Sequence, residues 1–249
     1  MNYEIKESSA TRLKEELAIA SIAKSSKVIT MIFRSNFDKR YGHPNFVVSL
    51  DGDFEFMISG LFEYFEGEIR RGVRFNAGQT IQFGWMILML KKDGHGDLEL
   101  WEPDFRRMPI NWVFSIDKTF KDLYLQREVC DQVNVDPNFP SLLERGIVSP
   151  GFGSCREFFI NRDSSQKGDS GWFFVERDNN GGDGKFSSLF EVAVNYPRVV
   201  PFLALPSCTI VKYVAGKIEV RFHDRVISSS ENKFLQRILD GWTSGGTYH

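Results

Sequence analysis

The sequence predicts an α+β fold in two parts, each a mostly antiparallel sheet with flanking helices, and three observations carry that expectation. Short blocks rich in β-branched and aromatic residues recur along the chain, bounded by turns containing Gly and Asp. Stretches with apolar residues at helical spacing lie between them. The pattern breaks at Asp136-Pro137-Asn138-Phe139-Pro140 and again at Ser149-Pro150-Gly151-Phe152-Gly153-Ser154, which puts a boundary near residue 146. The expected division is an N-terminal α+β extension domain over 1–145 and a second domain over 146–249.

In the first part, residues 9–25 suit an amphipathic helix: Leu13, Leu17 and Ala20 share a face that Arg12, Lys14, Glu15 and Glu16 largely avoid. The block 27–33 reads as a strand. Segments 45–50 and 54–58 flank Asp51-Gly52-Asp53, a turn favoured in hairpins, and predict a meander. Residues 60–70 predict a short helix with Leu61, Phe62 and Phe65 inward and Glu63, Glu66 and Glu68 outward. Residues 80–90 are nearly all apolar after Gln82, which predicts one central strand covered on both sides. Asp93-Gly94-His95-Gly96-Asp97 turns the chain, and 98–101 returns as its partner. Helical spacing over 119–133 predicts a helix capped by Asp117 or Thr119.

In the second part the expected order is a strand at 155–161, a polar loop, a strand at 172–176, a Gly-rich loop at 178–184 and a helix over 187–195. Thr209–Val214 and Lys217–Phe222 follow, joined as a hairpin by Ala215-Gly216. A last helix spans 230–239, capped by Ser229 or Ser230.

Composition narrows the function classes. A chain of 249 residues with 23 Phe and 5 Trp can bury a sizeable aromatic core. The net charge of −2 provides no overall positive field for nucleic acid, which is therefore not an expected partner. The longest apolar run, Trp85 to Leu90, is far short of the ~20 residues a bilayer requires, and no export signal is visible at Met1 onward, so a cytoplasmic protein without a membrane partner is expected. Cys130, Cys155 and Cys208 are odd in number and widely spaced, fitting small buried side chains in a reducing compartment.

Several constellations invite a chemical reading. Gly168-Asp169-Ser170-Gly171 matches the surroundings of a trypsin-like serine nucleophile, but no histidine context accompanies it. A hydrolase using Ser170 or Cys155 with His95 or His223 is the alternative function, yet no base–nucleophile spacing supports it. Asp178, Asn179, Asn180 and Asp183 lie among glycines like a cation loop, but Leu189 stands where a closing glutamate is needed. The four histidines, His43, His95, His223 and His249, form no zinc-ligand spacing, and phosphate-binding glycine motifs are missing; no metal, cofactor or catalytic set is expected. Trp85, Trp101 and Trp172 fit core packing, while Trp112 is the one best suited to a surface. Asp51, Asp53, Glu55, Glu63, Glu66 and Glu68 occur in one stretch without a Lys or Arg, making an acidic patch suited to a basic partner.

Three segments point further. Asp169-Ser170-Gly171-Trp172-Phe173-Phe174, then Leu189-Phe190-Glu191-Val192-Ala193-Val194-Asn195-Tyr196-Pro197, then Val199-Val200-Pro201-Phe202-Leu203 with Leu205-Pro206, keep order and spacing over about residues 154–214. This stretch resembles the immunity-protein domain of bacterial polymorphic-toxin and type VI secretion effector–immunity pairs, a family with a D-S-G-W core. It departs at Val175-Glu176-Arg177-Asp178, where that family carries an acidic segment. Gly78-Gln79-Thr80-Ile81-Gln82-Phe83-Gly84-Trp85 and Leu100-Trp101-Glu102-Pro103-Asp104-Phe105 look like the extension of longer relatives. The resemblance implies a non-enzymatic protein that binds and neutralises a cognate toxin, one acting in the cytoplasm such as a nuclease; a scaffold role in a secretion system is a further alternative, and homo-oligomerisation is left open. Physically, Asp169 and Ser170 fit a side-chain-bonded turn, Gly171 an unusual backbone angle and Trp172 a core plug, while Pro197, Pro201 and Pro206 stiffen the exit from the helix.

Overall fold

The computed structural model describes residues 30–152, 157–176 and 184–243. The helix expected over 9–25, Cys155, and the cation-loop candidates Asp178, Asn179, Asn180 and Asp183 lie outside the described residues.

The fold is α+β, with two mixed sheets. The first is built from β1 (Thr30–Arg34), β2 (Phe46–Asp51), β3 (Thr80–Phe83), β4 (Met86–Lys92), β5 (Leu98–Pro103) and β6 (Trp112–Val113), in the order β1-β2-β5-β4-β3 with β6 beside β5. Every pair is antiparallel except β2 with β5. Helix α1 (Phe37–Tyr41), a 3-10 turn at Gly52–Met57, and α2 (Ile58–Arg70) connect its strands. Phe46 and Phe65 stack at 4.0 Å between ring centroids in the middle of this core.

The meander expected across 45–58 does not form. Phe54, Ile58, Leu61 and Phe65 are all buried, and their spacing of four, three and four is helical, so the chain winds from the 3-10 turn straight into α2. The single strand expected over 80–90 is instead a hairpin. Phe83 pairs with Met86, and Gly84-Trp85 make the turn: Gly84 takes a φ of 59°, and Trp85 drops into the interior fully buried. β4 then alternates, with Met86, Leu88 and Leu90 buried and Ile87 and Met89 half-buried.

Helix α3 (Asp117–Gln132) joins two cores. Its Phe120 packs with the first sheet's interior, while Val129 and Cys130 pack with the second's. Neither Asp117 nor Thr119 caps it. The cap comes from β5, where the buried Glu102 carboxylate accepts from the Lys118 amide at 3.2 Å and the Thr119 amide at 2.7 Å.

The second sheet orders β10 (Lys185–Ser188), β7 (Arg145–Val148), β9 (Asp169–Glu176), β8 (Phe158–Arg162), β11 (Thr209–Val214), β12 (Lys217–Phe222) and β13 (Arg225–Ser228). Only β7 and β9 run parallel. The β11–β12 hairpin turns at Ala215-Gly216 with φ of 49° and 70°, the positive angles a two-residue primed turn demands. Helix α4 (Leu189–Asn195) is capped by Ser188, whose hydroxyl accepts from the Glu191 amide at 3.1 Å. Helix α5 (Lys233–Thr243) is capped by Asn232, not by Ser229 or Ser230; its side-chain oxygen accepts from the Phe234 and Leu235 amides, both at 3.0 Å.

Register separates the faces of this sheet. One row across the strands runs Val148, Phe174, Ile160, Val211 and Val220, all buried in the larger core under α4, α5 and a 3-10 turn at Pro197–Phe202. The next row runs Phe186, Ile147, Phe173, Asn161, Ile210, Arg221 and Val226 on the opposite face, and its apolar members belong to neither core. No helix among the described residues is long and apolar enough to cross a membrane.

Candidate functional site

The D-S-G-W segment forms the start of β9, and its side chains are spent on the fold. An Asp169 carboxylate oxygen accepts from the Gly171 amide at 2.9 Å. The Ser170 hydroxyl donates to the Arg145 carbonyl at 2.8 Å and accepts from the Trp172 amide at 3.3 Å. Gly171 takes a φ of 76°, and a Cβ there would lie 2.3 Å from the Asp163 carbonyl oxygen. Trp172 is fully buried and donates from Nε1 to the Leu203 carbonyl at 3.1 Å.

Arg162 on β8, which the motif reading passed over, organises this region. Its side chain is buried, and carbonyl oxygens take its donors: Ser170 at 3.0 Å, Asn138 at 2.6 Å and Leu205 at 2.7 Å. The guanidinium lies 5.7 Å over the Trp172 ring, and burial pulls its pKa down to about 10. One cation thereby ties the loop before β7, the D-S-G-W strand and the Leu203–Leu205 segment together. The remaining motif residues are structural neighbours: the Asn195 amide donates to the Glu191 carbonyl at 2.9 Å, Tyr196 meets Phe152 edge-on at 4.9 Å, Pro197 opens the 3-10 turn, Pro201 is buried within it, and the Pro206 carbonyl accepts from Thr209 at 2.7 Å.

Ser170 has no place as a nucleophile in this arrangement, because it is fully buried and its hydroxyl is engaged on both sides by backbone. His95 sits on the turn between β4 and β5, and His223 on the turn between β12 and β13, with its ring against Phe222. The buried histidine is His43. Its Nδ1 donates to the Pro44 carbonyl and its Nε2 accepts from the Phe75 amide, a neutral ring whose pKa burial lowers. Among the described residues no group of three or more His, Cys, Asp or Glu converges to hold a metal ion.

The acidic stretch divides in two. Glu66 accepts from the Tyr41 hydroxyl, and that bond first, then Arg40 at 2.5 Å and Arg70 at 2.7 Å, holds its carboxyl below the usual range. Glu68 pairs with Arg71. At the other end, Asp51 accepts from the Thr30 hydroxyl at 2.8 Å, and Asp53 and Glu55 stand exposed on the 3-10 turn, with Glu63 exposed on α2. Asp117 is close to Asp51 and Asp53, and its carboxyl is raised by burial first and by those charges in addition.

Two expectations about single residues change. Cys130 is buried, and burial pushes its thiol up to about 12, but Cys208, in the turn before β11 at a φ of 69°, is exposed. Trp85 and Trp172 are core residues, whereas Trp101 is half-buried, stacked with Phe114 and covered by the Lys91 ammonium at 3.6 Å; Trp112 is half-buried on β6.

The segment that Arg162 and Trp172 hold together is the one that comparison with known families singles out. Residues 125–224 match the Imm33-like domain. This is a family of immunity proteins, and the match starts inside α3 and runs to the turn after β12. No curated protein and no solved structure matches the chain. The Imm33-like region contains the whole D-S-G-W segment, Arg162 and most of the open sheet face, while the acidic stretch lies outside it. Sequence spacing gives no warning of Arg162 or Glu102, since their partners are distant in the chain; an arginine ending a strand that opens Phe158-Phe159-Ile160 is the one local signal.

Proposed function

We propose that this chain is an immunity protein that binds its cognate toxin one-to-one and keeps the toxin's active site out of use. The observation that carries the reading is the Imm33-like match over residues 125–224, whose conspicuous residues are consumed in holding a shape. A protein whose motif side chains face inward acts through its surface. We further propose that the partner works in the cytoplasm, a nuclease-type toxin of a secreted effector–immunity pair. The unpaired thiols Cys130 and Cys208 support a reducing compartment.

The division into an extension over 1–145 and a toxin-binding part over 146–249 is kept as part of this proposal. Within the extension, Asp51, Asp53, Glu55, Glu63, Glu66 and Glu68 are proposed to draw in a toxin whose cleft is basic, with Glu66 and Glu68 contributing least because Arg40, Arg70 and Arg71 already offset their charge. Long-range attraction of this kind speeds encounter and is screened by salt.

The test is co-expression with the product of the reading frame adjacent to this chain's gene. Protection of cells from that product, with a one-to-one complex on purification, is the expected result. Reversing Asp53 and Glu55 to Lys is expected to slow association at low salt by about tenfold and flatten its salt dependence. Cells that die at the same rate with and without the chain would remove the reading.

A further inference from the structure

Among the described residues, the open face of the second sheet belongs to neither hydrophobic core. Seven strands contribute one row in register: Phe186, Ile147, Phe173, Asn161, Ile210, Arg221 and Val226. Five of these side chains are apolar on a face where an antiparallel sheet is ordinarily polar. Phe186, Ile210 and Val226 are 58%, 37% and 47% exposed. The neighbouring row adds Val175 and Phe159, both half-buried, and neither belongs to a core. At ~4.8 Å per strand the row is about 29 Å long, and two rows make an apolar area of roughly 400 Å², in the range where a patch on a monomer is usually functional.

Charge on this face leans basic, with the exposed Asp163, which lines one hollow with Phe159 and Ile210, as a counterweight. Arg145 lies 5.1 Å over the Phe186 ring, and Lys212 lies 5.9 Å over Phe159. Lys212 and Arg221 share one carboxylate, Glu219, at 3.6 and 3.9 Å. Asp169, opposite Arg145 in the register, has its carboxylate turned to the Gly171 amide. The face is thus apolar and aromatic with a basic margin, the mixture of Arg and large rings on which binding energy concentrates. Its charge complement is an apolar patch bordered by carboxylates. Aliphatic Ile147, Val175, Ile210 and Val226 interrupt the rings of Phe186, Phe173 and Phe159, which suits a folded protein surface better than a run of stacked bases.

We infer that this sheet face is the docking surface for the toxin, and that it meets a folded protein surface with an apolar centre and an acidic border. This rests on the immunity reading and assigns the site within it: the acidic stretch governs how fast the toxin arrives, and the sheet face governs how long it stays. The surface falls almost wholly inside residues 125–224, with Val226 just beyond.

The experiment uses the full chain and an inactivated form of the adjacent reading frame's product. Phe186→Glu with Ile210→Glu is expected to weaken the complex at least a hundredfold, mainly by faster dissociation, and to abolish protection while the melting midpoint stays within a degree or two. Lys212→Glu with Arg221→Glu leaves every apolar group in place and is expected to lose about tenfold. Full protection and unchanged dissociation in both double variants would overturn the assignment while leaving the immunity reading standing. A concentration-dependent dimer of the unaltered chain, abolished by Phe186→Glu with Ile210→Glu, would assign the face to a second copy instead. Tight binding of a labelled single-stranded 20-mer that the same variant abolishes would assign it to nucleic acid. If the unaltered chain gives no protection, the immunity reading itself falls and takes this partner with it.

Discussion

The carboxylate of Glu102 on β5 accepts both the amide and the hydroxyl of Thr119, each at 2.7 Å, and so closes the first turn of α3 from a strand 17 residues away in sequence. A helix start buried without a partner would leave its amides unsatisfied, at about 1–3 kcal/mol each. Burial pushes the Glu102 carboxyl up from 4.5 to about 7, against the bonds from Thr119 and Lys118 that favour its charged form.

A pH dependence follows from that displacement. The folded chain holds the Glu102 proton more tightly than the unfolded chain does, so its contribution is fully present below pH 4.5 and is lost as pH rises through about 7. Glu102→Gln keeps an acceptor and removes the titration. Denaturant melts of the two proteins from pH 4.5 to 8 are expected to converge in slope elsewhere but differ in this window by up to about 3 kcal/mol. Equal slopes for both would show that Glu102 keeps an ordinary carboxyl.

Two glycines with similar backbone angles separate strain from space. Gly171 at φ 76° would push a Cβ to 2.3 Å from the Asp163 carbonyl oxygen, whereas Gly216 at φ 70° has open space around it. Gly216→Ala should cost about 1–2 kcal/mol, the ordinary left-handed penalty. Gly171→Ala adds a backbone clash and is expected to cost more than twice as much, or to prevent folding. Similar thermal shifts for the two would mean that β9 yields readily at this point.

Arg162→Lys tests the carbonyl cage. A lysine keeps the positive charge but lacks the fork that reaches Ser170, Asn138 and Leu205 together. A loss of about 3 kcal/mol in urea unfolding is expected, from acceptors left unpaired and a cation left uncompensated. A loss under 1 kcal/mol would assign the region's stability to Trp172 packing alone.

Thiol labelling distinguishes Cys208 from Cys130. In a chain with Cys155→Ser, a thiol reagent at pH 8 is expected to modify the exposed Cys208 in the folded state and Cys130 only in denaturant, because the Cys130 thiol is buried and raised to about 12. Rapid modification of both without denaturant would show that the larger core opens around α3.

What the sequence makes legible is what is decided locally. Ala215-Gly216 between two β-branched runs specifies its hairpin, and the helical spacing of Leu123, Arg127 and Cys130 specifies α3. The bonds that the Asp169 and Ser170 side chains accept from the Gly171 and Trp172 amides are equally local. Interactions between distant segments are hidden: Glu102 as a cap, the parallel pairing of β2 with β5, and Gly146 wedged on β7 with a Cβ position only 2.8 Å from the Phe174 ring. The apolar run after Gln82 reads as one strand because only the fully buried Trp85, packed behind the Gly84 turn, betrays the reversal. The acidic stretch shows its charge in the sequence but not its clasp by Arg40, which approaches from α1. The open apolar row emerges only when six pairings are in register, so no window of the sequence contains it.

Helix α3 carries a last implication. With Phe120 in one interior and Val129 and Cys130 in the other, it works as a shared beam between two floors. Trimming the protein to residues 125–224 would saw through that beam and strip away Trp85, Met86 and Phe105, which line the same interior as Trp172. The matched stretch by itself is therefore expected to fail to fold, and heating the intact chain should give one heat-absorption peak, both floors giving way together.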